Sequence, residues 1–239
     1  MANPPFDLFV PQTGSGTFLA ATVATLSIGV PANTVIAVAY VHNASVKDTV
    51  TVALARGGTA LGETWTVLPD AYLPSNSQTF IALSAPPVNL LAGDTVTVTS
   101  SVSRSRRELH GRAFPGQLLA GNISGLFTTN SGPLAVPLAA VPAGAAIFAV
   151  VGCNGGGGAV TFGPPNVYTD PRTITSTAGS AEKTLADAYR IAAGAGSTSA
   201  DATLAVAGPA GLVAVALPSA PVPVTSSGGT YQRVNGVWT

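Results

Sequence analysis

Val30-Pro31-Ala32-Asn33-Thr34-Val35-Ile36-Ala37-Val38-Ala39-Tyr40-Val41-His42-Asn43 returns later in the chain as Val141-Pro142-Ala143-Gly144-Ala145-Ala146-Ile147-Phe148-Ala149-Val150-Val151-Gly152-Cys153-Asn154. Val, Pro, Ala, Ile and Asn recur in place. Proline cannot donate to a sheet ladder, so Val-Pro-Ala belongs at a strand start or on an edge. Each copy runs through a turn into a second strand, Thr49-Val50-Thr51-Val52 in one and Ala159-Val160-Thr161-Phe162 in the other. Further on, Thr79-Phe80-Ile81-Ala82-Leu83 faces Ala188-Tyr189-Arg190-Ile191-Ala192, and Gly93-Asp94-Thr95-Val96-Thr97-Val98 faces Ala200-Asp201-Ala202-Thr203-Leu204-Ala205-Val206. Ala113-Phe114-Pro115 then matches Ala216-Leu217-Pro218. Matches in constant order at nearly constant spacing predict an internal duplication.

Alternation identifies the unit that is duplicated. Asp94-Thr95-Val96-Thr97-Val98-Thr99 sets Val on one face and Thr on the other, the pattern of a half-buried strand. Thr49-Val50-Thr51-Val52 and Trp65-Thr66-Val67 do the same. Residues 180–193 also read as an Ala-rich helix with Ser180 as cap and Gly194 as stop, but their counterpart near 78–84 reads as a strand, so 188–192 is assigned to a strand. Short strands bounded by Gly, Pro, Asn and Ser predict an all-β chain of two tandem, internally duplicated antiparallel β-sandwich domains, jelly-roll-like, with extended terminal arms. The expected boundaries are an N-terminal arm at 1–13, sandwiches at 14–116 and 123–219, and a Pro/Ser/Gly linker with a C-terminal hairpin at 220–239. The hairpin turns at Asn235-Gly236, a pair suited to a type I′ turn. A two-stranded hairpin is marginal alone, so Tyr231 and Trp238 are expected to pack on this chain or a neighbour.

Composition narrows the function classes. Of 239 residues 8% are charged and 46% hydrophobic, with no net charge, which is the reverse of the disorder signature. So little surface charge is unusual for a free monomer, so either hydroxyls cover the exposed strand faces or subunits cover much of the surface. Cys153 is the single cysteine, so an intrachain disulfide is impossible. The opening residues have neither a basic nor an apolar signal region, so no secretory signal is expected. Residues 134–153 are uncharged and long enough to span a bilayer, but Pro137 and Pro142 would break that helix, so no membrane insertion is expected.

Catalytic chemistry is poorly supplied. His42 and His110 are the imidazoles, no nucleophile elbow is present, and one Cys with two scattered His has no metal-ligand spacing. No catalytic residue, metal or cofactor is expected. His42 reads as a turn residue at a strand end. Gly155-Gly156-Gly157-Gly158 lies between strands and lacks the Lys and following helix of a phosphate cradle, so it reads as a hairpin loop. Arg104-Ser105-Arg106-Arg107-Glu108-Leu109-His110-Gly111-Arg112 is the one charge cluster. On a strand, 104, 106, 108, 110 and 112 share a face. That face reads as a solvated stripe or as a docking stripe for an acidic neighbour. Without a basic domain and stacking aromatics, nucleic acid is not an expected partner.

The Val-Pro-Ala openings at 30–32 and 141–143, the Gly-Asp-Thr-Val-Thr-Val strand at 93–98 and the closing Tyr231–Thr239 with its Asn-Gly and Trp give the chain a resemblance to virion structural proteins of tailed bacteriophages, minor tail or tail-tip proteins above all. The resemblance implies a non-enzymatic, multicopy virion component assembled in the host cytoplasm without a cofactor. Its partners would be other virion proteins and further copies of itself. Arg104, Arg106, Arg107, Arg112, Tyr231 and Trp238 are the expected interface residues. Three alternatives remain open. One is a capsid decoration protein; another is an adhesin binding a host-surface glycan, with Trp65, Tyr72 and Tyr168 as stacking candidates. The third is an enzyme, in which two of the dispersed acidic residues meet in space as a glycosidase pair.

Overall fold

The structure, a computed structural model, describes all residues except 1–3, 44, 75–76, 130–132, 155–158, 164–166, 176–182, 222–232, 235–236 and 239. The fold is all-β. In chain order the first half contributes β1 (Phe6–Asp7), β2 (Gln12–Thr25), β3 (Val35–Asn43), β4 (Val50–Arg56), β5 (Thr59–Ala60), β6 (Thr66–Val67), β7 (Ala71–Leu73), β8 (Ser77–Ser84) and β9 (Thr95–Phe114). The second contributes β10 (Ile123–Thr129), β11 (Leu134–Val141), β12 (Ala146–Asn154), β13 (Val160–Phe162), β14 (Thr169–Thr175), β15 (Lys183–Ile191), β16 (Gly196–Leu204) and β17 (Ala210–Leu217). β18 (Arg233–Val234) and β19 (Val237–Trp238) follow.

The second half is a five-stranded sheet, β10-β17-β12-β15-β14, facing a three-stranded one, β11-β16-β13. The first half uses the same order of pairing in one continuous sheet. β9 is long enough to serve both layers: its start pairs with β4 and with Ala21–Thr25 of β2, and its end pairs with β3, β1 and the start of β2. β3 lies between β9 and β8 as β12 lies between β17 and β15. The turns before these central strands match too. Thr34 N–H donates to Pro31 O and Ala145 N–H to Pro142 O, with Asn33 (φ 60°) and Gly144 (φ 77°) in the left-handed position that a type II turn needs third.

Three apolar cores stack in series. An outer core joins β4 and the start of β9 to β3 and the end of β9 through Leu54, Val96, Val98, Ile36, Val38, Tyr40 and Leu109. The other outer core joins β11 and β16 to β12 and β17 through Val136, Leu138, Ala200, Ile147, Val151 and Leu212. Between them, Val35, Ala37, Val41, Ile81, Leu83 and Phe114 of the first half meet Phe148, Val150, Leu185, Val213, Val215 and Leu217 of the second. Four strand layers result, and the central strands of the two inner ones, β3, β8, β12 and β17, are buried on both faces. The linker is stitched down: Leu118 N–H donates to Pro218 O, Ala146 N–H to Gln117 Oε1, and Ala220 N–H to Gly116 O.

Four expectations need correction. Residues 6–9 are no free arm, because β1 pairs with β9, and Leu8 and Phe9 lie in the first outer core. Residue 220 likewise still bonds to the body. His42 is a fully buried strand residue rather than a turn residue: it stacks on Phe80 at 5.6 Å, and its even position turns it inward beside Tyr40. The face of β9 carrying Glu108, His110 and Arg112 is neither a solvated stripe nor an external docking stripe, because it is buried against the second half. Residues 134–153 form β11 and β12, and no helix among the described residues is long and apolar enough to cross a membrane.

Residues 188–192 fall in and just after β15, in agreement with the strand reading. β18 and β19 pair as Arg233↔Trp238 and Val234↔Val237; the turn expected at Asn235-Gly236 lies outside the described residues. Gly155 to Gly158 lie outside them as well.

Candidate functional site

The charge that sequence placed on one stripe of β9 meets its complement inside the molecule. Even-numbered residues at the end of β9 point toward the second half, so His110 and Arg112 enter the seam next to Phe114. Odd-numbered Asp187 of β15 comes from the opposite side. Its Oδ2 lies 2.5 Å from His110 Nδ1, and its Oδ1 accepts from Arg112 Nε at 2.5 Å. Arg112 also donates from Nη1 to Asp170 Oδ2 at 2.8 Å and from Nη2 to the Asp170 carbonyl at 2.7 Å. Its guanidinium sits 5.5 Å from the Tyr189 ring centroid. Asp7, held by β1, lies 3.4 Å from both His110 Nε2 and Arg112 Nη1, and Arg172 of β14 reaches Asp7 at 3.0 Å and Asp170 at 3.2 Å.

His110, Arg112 and Asp187 have no exposed surface, while Asp7, Asp170 and Arg172 close the cluster toward solvent. Burial alone would lower the His110 pKa; Asp187 and Asp7 outweigh it and hold the imidazole above its ordinary value. Burial alone would raise Asp7; the His110 hydrogen bond and the charges of Arg112, His110 and Arg172 hold it below the usual carboxylate value. Three carboxylates face two guanidiniums, so a protonated His110 makes the cluster neutral. Both imidazole nitrogens face carboxylate oxygens, an arrangement that holds a cation. The chemistry of this cluster is therefore attraction between the two halves. A groove of about 390 Å³ opens beside it, walled by Pro4, Pro5, Pro115, Gln117, Tyr189 and Ile191.

A second polar set pins the loop after β3. Gln78, fully buried, accepts from Asp48 N–H at 2.9 Å and donates to the Asp48 carbonyl and to Asp70. Lys47 reaches Asp70 at 3.2 Å. Near the far end of the seam, Lys183 is buried, and burial pulls its pKa down to about 8, partly opposed by Cys153. Burial raises the Cys153 thiol. Among the described residues, no group of three or more His, Cys, Asp or Glu is placed to hold a metal ion.

The sequence-derived interface residues separate. Arg112 belongs to the seam, and Arg107 is buried on the opposite face of β9. The Arg106 N–H donates to Asn43 Oδ1, and Arg106 is part-buried. Arg104 pairs with Leu19 through the backbone. Trp238 sits on β19, and Tyr231 lies outside the described residues. The three stacking candidates share no platform. Trp65 packs on the first outer core and donates to Glu63 Oε1, Tyr72 lies on β7, and Tyr168 packs on the second outer core against Phe162 with Arg190 over its ring. Sequence reading missed Asp7, Asp170 and Asp187 as the partners of the basic stripe, since no local pattern marks them. Compared with family models, curated proteins and solved structures, the chain finds no match in any of the three.

Proposed function

We propose that this chain is a non-enzymatic structural subunit of a tailed-bacteriophage virion, a minor tail or baseplate protein built as a duplicated, jelly-roll-like sandwich and assembled in the host cytoplasm. The observation that supports this reading most is where its few charges lie. Asp48, Asp94, Arg107, Glu108, Arg112, Lys183 and Asp187 are buried, out of only ten acidic and ten basic residues. Meanwhile Val10, Val23, Ile28, Leu91, Phe127, Val167 and Val206 are exposed. A chain that keeps ions inside and apolar side chains outside suits permanent neighbours better than free solution. The stacked halves form a stiff body, and the C-terminal hairpin follows it on a Pro-containing connection, as a docking arm would.

Gold-labelled antibody against the chain, applied to purified particles of the phage that encodes it, tests the reading in the electron microscope. Label at the tail or baseplate is expected. Label spread over the capsid would replace the tail assignment with decoration. Unlabelled particles, together with glycan-array binding that depends on Tyr72 or Tyr168, would replace the structural reading with the adhesin.

A further inference from the structure

We propose that the outer edge of β10 pairs with β10 of a second copy of this chain, antiparallel about a two-fold axis through Leu126. β10 ends its sheet, and its residues Ile123 to Thr128 pair, among the described strands, with β17 in unbroken register from Ile123↔Ala216 to Thr128↔Gly211. An edge strand presents a row of unpaired N–H and C=O groups, and proteins that leave an edge unused guard it with charge, proline, bulges or shortness.

Other edge strands of this molecule carry such guards. β14, at the opposite end of the same sheet, contains Asp170 at φ 48°, then Pro171 and Arg172, and its register breaks between Thr169 and Arg172. β11 contains Pro137 and breaks between Leu138 and Val141. β2 is interrupted between Ser15 and Leu19 and again between Leu19 and Ala21. β13 has three residues, and β5 and β6 have two each. β10 reads Ile123-Ser124-Gly125-Leu126-Phe127-Thr128-Thr129, with no charge, no proline and no break. Leu126 is 40% exposed and Phe127 39%.

A second copy fits this edge because the strand is complementary to itself. Pairing about Leu126 sets Ser124 opposite Thr128 and Gly125 opposite Phe127. The hydroxyl pair can share a hydrogen bond, and each phenyl ring lies across from a residue with no side chain, a favourable cross-strand pairing. Gly125 is fixed from behind, since a Cβ there would come within 2.6 Å of Val136 Cγ1. No like charges meet, and the isologous contact closes after two copies. Two five-stranded sheets then join into one. This pairing goes beyond the particle reading and does not depend on it.

Sedimentation velocity of the full chain over a range of concentrations, with Leu126→Lys, Leu126→Cys and Ser124→Cys, tests it. The unmodified chain is expected to sediment as a dimer and L126K as a monomer with unchanged circular dichroism and a melting temperature that no longer depends on concentration. Opposed Cα atoms in an antiparallel pair lie about 4.5–5.5 Å apart, within disulfide reach, so oxidised L126C should run as a covalent dimer. S124C, facing Thr128, should not. A monomer at every concentration, a dimer that survives L126K, or S124C linking as well as L126C would overturn the proposal. Should L126K fail to fold, the two cysteine variants decide. Particle labelling is read independently, so either proposal can fail without the other.

Discussion

Asp187 holds the Arg112 guanidinium and the His110 imidazole in a place water does not reach. Taking such a carboxylate out of water is expensive, and the pair is favourable only while every member is present. Asp187→Asn keeps the shape and removes the charge, leaving Arg112 and His110 facing one compensating charge fewer. A loss of about 3–5 kcal/mol is expected in urea unfolding, the usual cost of breaking a buried pair. Arg112→Met combined with Asp187→Leu should cost less than the two single changes summed, because the double variant leaves neither charge stranded. Lys183 works in the other direction. Its folded pKa of about 8 lies below the ordinary lysine value of 10.5, so between those values the unfolded chain holds a proton that the native chain has lost. The Lys183 contribution to stability should therefore rise with pH across that window, by on the order of 3 kcal/mol at about 1.4 kcal/mol per pH unit. Lys183→Met should remove that rise when unfolding is compared at pH 8 and pH 10, and a variant with the same slope as the unmodified chain would contradict the assignment.

The strands themselves were legible where one face meets solvent. The Thr/Val alternation of residues 95–98 and 49–52 describes half-buried strands, and those segments lie in β9 and β4 of the outer layer. The inner strands follow another rule. Val35-Ile36-Ala37-Val38-Ala39-Tyr40-Val41, Ala146-Ile147-Phe148-Ala149-Val150-Val151 and Ala210-Gly211-Leu212-Val213-Ala214-Val215-Ala216-Leu217 do not alternate, because both of their faces are covered. Continuous apolar runs of strand length carry that message, and it could have foretold that the halves stack through these sheets. The glycines that permit the stacking gave no such signal. Gly152 and Gly211 lie opposite each other on β12 and β17, and a Cβ at Gly152 would strike Thr79 Oγ1 and come within 2.6 Å of Val41 Cγ2. Gly152→Ala should force the sheets apart and cost about 1–3 kcal/mol by calorimetry, as overpacking does. Gly208→Ala, where nothing lies within 4 Å, serves as the neutral control.

At the scale of the molecule, the sequence matches between residues 30–115 and 141–218 suggested two halves but not how they meet. His110 and Asp187 are 77 residues apart, and pairing over that distance leaves no mark on local sequence. The chain crosses once, through 117–122, yet the middle core and the ion cluster bind the halves along their whole inner sheets. Each large side chain fully buried there contributes about 1.5–3 kcal/mol. Neither half can satisfy its inner sheet alone: residues 1–116 would expose Val35, Ile81, Leu83 and Phe114 around an Arg112 left with Asp7 as its carboxylate, and residues 123–219 would expose Phe148, Val150, Val213 and Leu217 around Asp187. Expressed separately, each half should aggregate or bind a hydrophobic dye, and coexpression should recover a one-to-one complex. The intact chain should accordingly melt in a single calorimetric transition whose van't Hoff and calorimetric enthalpies agree. Two resolved transitions, or a soluble half that binds no dye, would mean that the inner sheets contribute little to holding the halves together, and that each sandwich draws its stability from its own outer core.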